Sequence, residues 1–375
     1  MRRAALERYA IWRNQIGAPG FCLVARLVRN VASTLSASVL AIAMFAAVSA
    51  WPGVASSAPG LAGLPRFRTV DAAAQARELG RGMNIMSHDP LFDGAKGAVF
   101  KERYFHAIAA FGFRTVRVPQ AAIVHADAEG RLDPVWLAKL DWVVAEATRN
   151  GLNVIIDNNG GCSDEGAACL EKTARIWRNL ARHYRHAPNS VIFELYNEPD
   201  GAITPQVWNA GLLNILTAIR SSNPTRNVVV DTAHACNLRD LAALRLPAQD
   251  RHIIATFHYY EPFFFTHQGA AWLPPARRPP TGAGFGSAAQ IAEVIRDFNY
   301  VAAWSAWYHR PVLLGEFGVL ETATPFDRGL WTSLVARTAE AHGISWIYWQ
   351  FDGDFTAYDT AREAWVEPVA RALVP

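Results

Sequence analysis

The chain has 375 residues, 51% hydrophobic and 18% charged, which supplies a sizeable core and excludes a disordered or fibrous protein. Its formal net charge of +3 arises at the N-terminus: residues 1–58 hold six arginines and one acid, Glu7, so the remainder carries about −2. Nothing in that balance provides the basic patch that nucleic-acid binding needs, and a neutral ligand fits better.

Residues 1–58 read as an export leader. Arg2, Arg3, Arg8, Arg13, Arg26 and Arg29 come first, then a small and apolar run from Val39 to Val48. The run is short for a membrane span. Cleavage after Ala50 or Ala58 is therefore expected, giving a secreted or periplasmic protein, with an uncleaved membrane anchor as the alternative. A Pro-, Gly-, Ser- and Ala-rich linker, Trp51 to Pro65, leads into one domain over 59–375.

Beyond the linker, strand-like apolar runs alternate with helical periods. The strand candidates are Gly82–Ile85, Thr115–Pro119, Asn153–Asp157, Val191–Tyr196, Val228–Asp231, Ile253–His258, Val312–Gly315 and Ser345–Trp349. Their near-continuous apolar character means strands covered on both faces, hence a parallel sheet. Asp133-Pro134 opens a helix with Trp136, Leu137, Leu140, Val143, Val144 and Ala147 on one face, closed by Gly151. Thr204-Pro205 opens another, and Leu170–His186, Ala288–Tyr308 and Phe326–His342 are further helical stretches. Eight strand–helix units in this length predict a closed (β/α)8 TIM barrel of the α/β class, where chemistry collects at the C-terminal strand ends.

Between the sixth and seventh strands lies an apolar loop, Glu261 to Gly286, carrying Phe263, Phe264, Phe265, Trp272 and Phe285. It either packs on the barrel rim or forms a wall on which sugar rings stack. Cys162 and Cys169 bracket a short loop suited to a local disulfide, which leaves Cys236 as a small packing residue. No CxxC, HExxH or glycine-rich phosphate loop occurs, so no metal, nucleotide or other cofactor is expected.

Two segments carry the chemistry: Val191-Ile-Phe-Glu-Leu-Tyr-Asn-Glu-Pro-Asp200 and Pro311-Val-Leu-Leu-Gly-Glu-Phe-Gly318. Each is an apolar run that stops on a glutamate, Glu198 or Glu316. Paired carboxyls at strand ends are what glycosidic hydrolysis requires, one holding a proton for the leaving oxygen and one attacking the anomeric carbon. If both sit close together, ionising both is unfavourable and one pKa rises.

The Asn197-Glu198-Pro199 and Glu316-Phe317-Gly318 triplets, with His258-Tyr259-Tyr260 and Trp349, resemble glycoside hydrolase family five, the cellulase family of the retaining-glycosidase clan. The resemblance spans about Leu79 to Gly353. It implies Glu198 as acid/base and Glu316 as nucleophile, with Asn197 on the sugar 2-hydroxyl and Arg117 supporting the nucleophile by a charge-assisted hydrogen bond. It implies that Tyr260 orients Glu316 and that His258 contacts sugar or Glu198. Trp349 would be a stacking platform, since the apolar face of a pyranose matches an indole. Asn159 stands where the family shows histidine after the third strand; an amide keeps hydrogen-bonding capacity but cannot become a cation.

The resulting expectation is an exported, cofactor-free, retaining endo-β-glycanase of the endo-β-1,4-glucanase type acting on a polysaccharide or oligosaccharide. A β-mannanase, or a hydrolase of another β-linked bacterial polysaccharide, is the alternative. A non-catalytic sugar-binding barrel is disfavoured because a binding module gains nothing from two close carboxylates. A structural surface protein is a third reading, distinguished by an uncleaved anchor without hydrolysis.

Overall fold

The computed structural model describes residues 63–85 and 100–375. The export leader expected over 1–58, with Cys22, lies outside the described residues. Eight parallel strands close into a barrel in sequence order: β1 (Arg81–Asn84), β2 (Thr115–Gln120), β3 (Asn153–Asn158), β4 (Val191–Glu194), β5 (Val228–Asp231), β6 (Ile253–Tyr259), β7 (Val312–Phe317) and β8 (Ser345–Tyr348). β8 pairs back onto β1, so no strand edge remains in the barrel. The expected (β/α)8 architecture is present.

Inside the barrel, Ile155, Ile192, Val229, Ile254, Leu313 and Ile347 form one apolar layer. Helix α1 (Ala72–Leu79) closes the N-terminal end, adding Ala72, Ala76 and Leu79 to that layer. Strand side chains alternate with period two. Two residues beyond this layer the inner face therefore carries Asp157, Glu194, Asp231, Thr256 and Gly315, and β1 and β2 contribute Asn84 and Arg117. An apolar plug below and a polar layer above follow from that single periodicity.

The outer ring contains α2 (Glu102–Phe111), α3 (Pro134–Arg149), α4 (Ala167–His183), α5 (Pro205–Arg220), α6 (Ala288–Tyr308), α7 (Pro325–Ala341) and α8 (Glu367–Leu373). Helix starts follow side-chain caps: Asp133 accepts from Trp136 N–H at 2.8 Å, Thr204 from Val207 N–H at 3.3 Å, and Ser287 with Gln290 forms a capping box. The expected helix–strand alternation fails once. After β5 the chain makes a tight turn at Ala233–Cys236 and a 3-10 segment, Leu238–Ala243, instead of a full helix.

Three buried helix tryptophans fix the loops at the C-terminal ends of the strands. Trp177 of α4 donates to the Leu195 carbonyl at 2.8 Å, Trp208 of α5 to that of Asp231 at 2.8 Å, and Trp331 of α7 to that of Glu261 at 2.9 Å. Each indole buries a large apolar surface and satisfies a strand-end carbonyl that the ladder leaves unpaired. Among the described residues no helix is long and apolar enough to cross a membrane.

The expected disulfide joins Cys162 and Cys169, with Cα atoms 5.5 Å apart, and Cys236 is free and buried. The bridge ties the loop after β3 to the start of α4. Closing so short a loop removes unfolded-chain entropy worth about 2.5 kcal/mol. Cys162→Ser should lower the denaturant midpoint by that stability at unchanged m, as read by urea titration followed by tryptophan fluorescence.

Candidate active site

Arg117 stands at the centre of the polar layer, fully buried, and all five of its N–H bonds are used. Nε and Nη2 form a fork on Glu194, 2.8 Å to Oε2 and 2.9 Å to Oε1. Nη1 donates to Glu316 Oε1 at 2.7 Å and to Asn84 Oδ1 at 2.9 Å, and Nη2 also donates to Asn197 Oδ1 at 2.6 Å. Asp157 Oδ2 lies 3.1 Å from Nη2 as an ion pair, but no N–H points at it and neither Asp157 oxygen has a hydrogen-bond partner.

The charges follow from that geometry. Burial alone would depress the guanidinium, but Asp157, Glu194 and Glu316 together raise its pKa well above the ordinary value. Burial lifts the Asp157 carboxyl well above its normal range; Arg117 opposes the rise, while Glu194 and Glu316 reinforce it. Asp231 is lifted in the same way by burial and by its acidic neighbours Glu194 and Asp157.

Glu316 reaches this cluster through a bulge. The β6–β7 pairing runs Phe257 to Leu314 and then His258 to Glu316, so Gly315 is an extra residue on β7. With Leu313 facing inward, strict alternation would turn Glu316 outward; the extra residue turns it inward beside His258. A Cβ at Gly315 would stand 2.7 Å from Thr256 Oγ1 and 3.0 Å from His258 Nε2, so only glycine leaves room for the imidazole.

Glu316 also accepts from Tyr260 Oη at 2.8 Å on its second oxygen. Burial pushes its pKa upward, against the lowering effects of His258, Arg117 and the Tyr260 hydroxyl; Glu198 adds to the rise. Glu198 lies four residues past the end of β4 rather than at the strand end, in the left-handed region with φ 50°. Its backbone N–H donates to Asp231 Oδ1 at 3.0 Å, and its Oε1 is 2.8 Å from His258 Nδ1. The same nitrogen is 3.5 Å from Glu316 Oε2. Donor atoms of Glu198, His258 and Glu316 all fall within 4.8 Å of one another.

Of the residues expected from sequence, Arg117, Asn197, Glu198, His258, Tyr260 and Glu316 are joined in this network. Trp349 follows β8 and packs against an aromatic cluster of Tyr260, Phe263, Leu273, Leu320 and Phe355, with Trp272 beside it. Asn159 is on the same rim, held by its backbone N–H on the Gln120 carbonyl at 2.8 Å, with no side-chain hydrogen bond to the cluster among the described residues. The loop after β6 divides between the two roles considered for it. Phe265 and Phe285 join the main core, while Phe263 and Trp272 face the Trp349 cluster.

Sequence reading gave no role to Glu194, Asp231, Asn84 or His267. Glu194 sits two residues beyond the barrel-layer isoleucine Ile192, which is the signal that would have found it. His267 stacks on Phe263 at 4.2 Å and meets Tyr260 edge-on at 5.0 Å; burial drops its pKa to about 3, so it stays neutral. No short pattern marks that residue.

The model of "Cellulase (glycosyl hydrolase family 5)" matches residues 80–354. This chain belongs to glycosyl hydrolase family 5. The family match covers all eight barrel strands and begins just after α1. Endoglucanase H of Acetivibrio thermocellus is 26% identical over 317 residues, 82% of this chain and 34% of that protein. Endoglucanase 3 of Fibrobacter succinogenes is 24% identical over 336 residues, 76% of this chain and 51% of its own length. The chain thus spans a third to a half of these two relatives. Among solved structures, endoglucanase Cel5A from Thermotoga maritima is 33% identical with a TM-score of 0.78, covering 81% of this chain and 100% of that one. Structures of the same enzyme with mannotriose and with cellobiose align comparably, with TM-scores of 0.78 and 0.77.

Asp157 offers a test of the charge layout. A buried carboxyl whose pKa is raised binds its proton more tightly folded than unfolded, so its contribution is full below its ordinary value of 3.8 and is lost as pH rises through the folded value. Asp157→Asn, which mimics the protonated acid, should flatten the decline of Tm above pH 3.8 relative to the parent protein. Calorimetric scans across pH would show parallel declines if the group were ionised.

Proposed function

We propose that this chain is a retaining endo-β-glycanase of the endo-β-1,4-glucanase type, with Glu198 as proton donor and Glu316 as nucleophile. The observation that carries this reading is the approach of a Glu198 oxygen to within 4.8 Å of a Glu316 oxygen around one imidazole. A carboxyl pair this close suits double displacement through a covalent glycosyl-enzyme; inversion needs a wider gap, roughly 6.5–9.5 Å, to seat a water.

The assignment of roles rests on hydrogen-bond donors. Glu316 receives a guanidinium N–H and a phenol O–H, one on each oxygen, which favour an anion against its burial. Glu198 has the imidazole Nδ1 2.8 Å from its Oε1, and the family resemblance gives it the proton. In the first step Glu316 attacks the anomeric carbon as Glu198 protonates the leaving oxygen. Neutralising Glu316 by esterification removes its charge from beside Glu198, whose pKa then falls, and Glu198 takes the proton of the attacking water. Asn197, with its oxygen committed to Arg117, turns its amide N–H2 toward the sugar 2-hydroxyl. Tyr260 steadies the nucleophile, and Trp349 supports a pyranose ring. Asn159 offers an uncharged contact where a histidine would offer a chargeable one.

Mannan is the second substrate to consider, because the similar Cel5A is described in complex with mannotriose as well as cellobiose. Export is supported by the leader's charge pattern and by the Cys162–Cys169 bridge, which persists in oxidising compartments.

Glu316→Ala should abolish turnover and leave oligosaccharide binding intact. Glu198→Ala should lower kcat about 10²–10⁴-fold on carboxymethyl-cellulose, and far less on aryl glycosides whose leaving group needs no proton. A fully active Glu316→Ala enzyme would refute the nucleophile assignment. Reducing-sugar release should be greater from carboxymethyl-cellulose than from mannan; the opposite order would make the chain a mannanase.

A further inference from the structure

A second cluster shares His258 with the Glu198–Glu316 site. Asp231 at the end of β5, Cys236 after it and His258 on β6 are all buried, and their donor atoms lie within 4.8 Å of one another. Two of those atoms have no partner. His258 spends Nδ1 on Glu198 while its Nε2 is buried and unbonded; Asp231 spends Oδ1 on the Glu198 N–H while Oδ2 is buried and unbonded. Cys236 Sγ has one weak contact, 3.4 Å to the Thr256 carbonyl.

The backbone that delivers Cys236 is unusual. His234, Ala235 and Cys236 are consecutive non-glycine residues in the left-handed region, with φ of 50°, 57° and 57°. Such a conformation costs roughly 1–2 kcal/mol per residue and is retained only where its surroundings impose it. Acid groups also outnumber bases there: Asp157, Glu194, Glu198, Asp231 and Glu316 are five buried carboxyls around the one guanidinium of Arg117.

We propose that Asp231, Cys236 and His258 form an inhibitory site for a thiophilic divalent cation of the zinc and cadmium class. One imidazole nitrogen, one sulfur and one carboxylate oxygen make a donor set that such ions accept. Metal–ligand bonds of about 2.0–2.3 Å require the three donors to draw inward, within the reach of side-chain rotations. Binding expels to solvent both the thiol proton and the proton that burial favours on Asp231, because the thiolate and the carboxylate are the ligands.

The inhibitory part rests on Glu198 being the proton donor. A cation that draws His258 and Asp231 inward moves the two groups that hold Glu198, the imidazole 2.8 Å from its Oε1 and the carboxyl oxygen 3.0 Å from its backbone N–H, and so displaces the proton donor. The glycosylation step then slows, with kcat falling and KM little changed.

The experiment is a cadmium titration of the full-length protein, following the thiolate-to-cadmium charge-transfer absorption and kcat in parallel. Wild type should show one equivalent bound through sulfur, with kcat falling over the same range. Cys236→Ala and the size-conserving Cys236→Ser should keep the basal kcat, lose the absorption, and need at least about tenfold more cadmium for the same inhibition. Absence of the absorption in wild type, or equal inhibition of the cysteine variants, would overturn the site and place the ion on the Glu198–Glu316 pair. A normal charge-transfer signal with kcat unchanged would instead overturn the inhibitory link and count against Glu198 as the acid, leaving the site standing.

Discussion

A guanidinium enclosed in the barrel with every N–H committed is the interaction on which the rest of this site depends. An uncompensated cation there would be prohibitive, and so would the carboxylates around it without the cation. Arg117 binds Glu194 through a bidentate fork, Glu316 through one N–H, and the amide oxygens of Asn84 and Asn197 through the others. Four strands and the segment after β4 are thereby referenced to one planar group. The positions of Glu316 and Asn197 are coupled, because moving either breaks a bond to the same guanidinium.

That saturation also explains the unequal fates of the acids. Glu194 and Glu316 take hydrogen bonds; Asp157, only 3.1 Å away, takes none because no N–H is left. Burial then favours its neutral form, and that of Asp231. The layer therefore limits its own negative charge by holding protons on the acids that lack donors. Glu316 occupies an intermediate position, pushed up by burial and held down by His258, Arg117 and Tyr260, which suits the nucleophile role proposed for it.

The supports outside the barrel are apolar residues with one polar atom each. Trp177, Trp208 and Trp331 fill the space between helices and strands and tether carbonyls beside the reacting groups. Flexibility at the strand ends is thereby confined. The apolar cluster around Trp349 packs the rim after β6, and neutral His267 extends its stacked rings without bringing a charge.

The strands, their parallel order, the Asp133, Thr204 and Ser287 helix starts, the local disulfide and six members of the clustered site were legible in the sequence. These are properties of short spans: apolar runs, cap residues, a seven-residue cysteine spacing and motifs of three or four residues. Hydrophobic periodicity even contained the polar layer, since Ile155, Ile192 and Val229 are each followed two positions later by an acid. Tertiary structure alone decided which of those acids receive a hydrogen bond, because five donors had to be shared among groups from separate strands. It alone decided that the Gly315 bulge turns Glu316 inward, against the alternation its own strand predicts, because the extra residue is defined only by pairing with β6. The left-handed turn at His234–Cys236 and the missing helix after β5 belong to the same class: no local propensity favours them, and the packing around β5 and β6 imposes them.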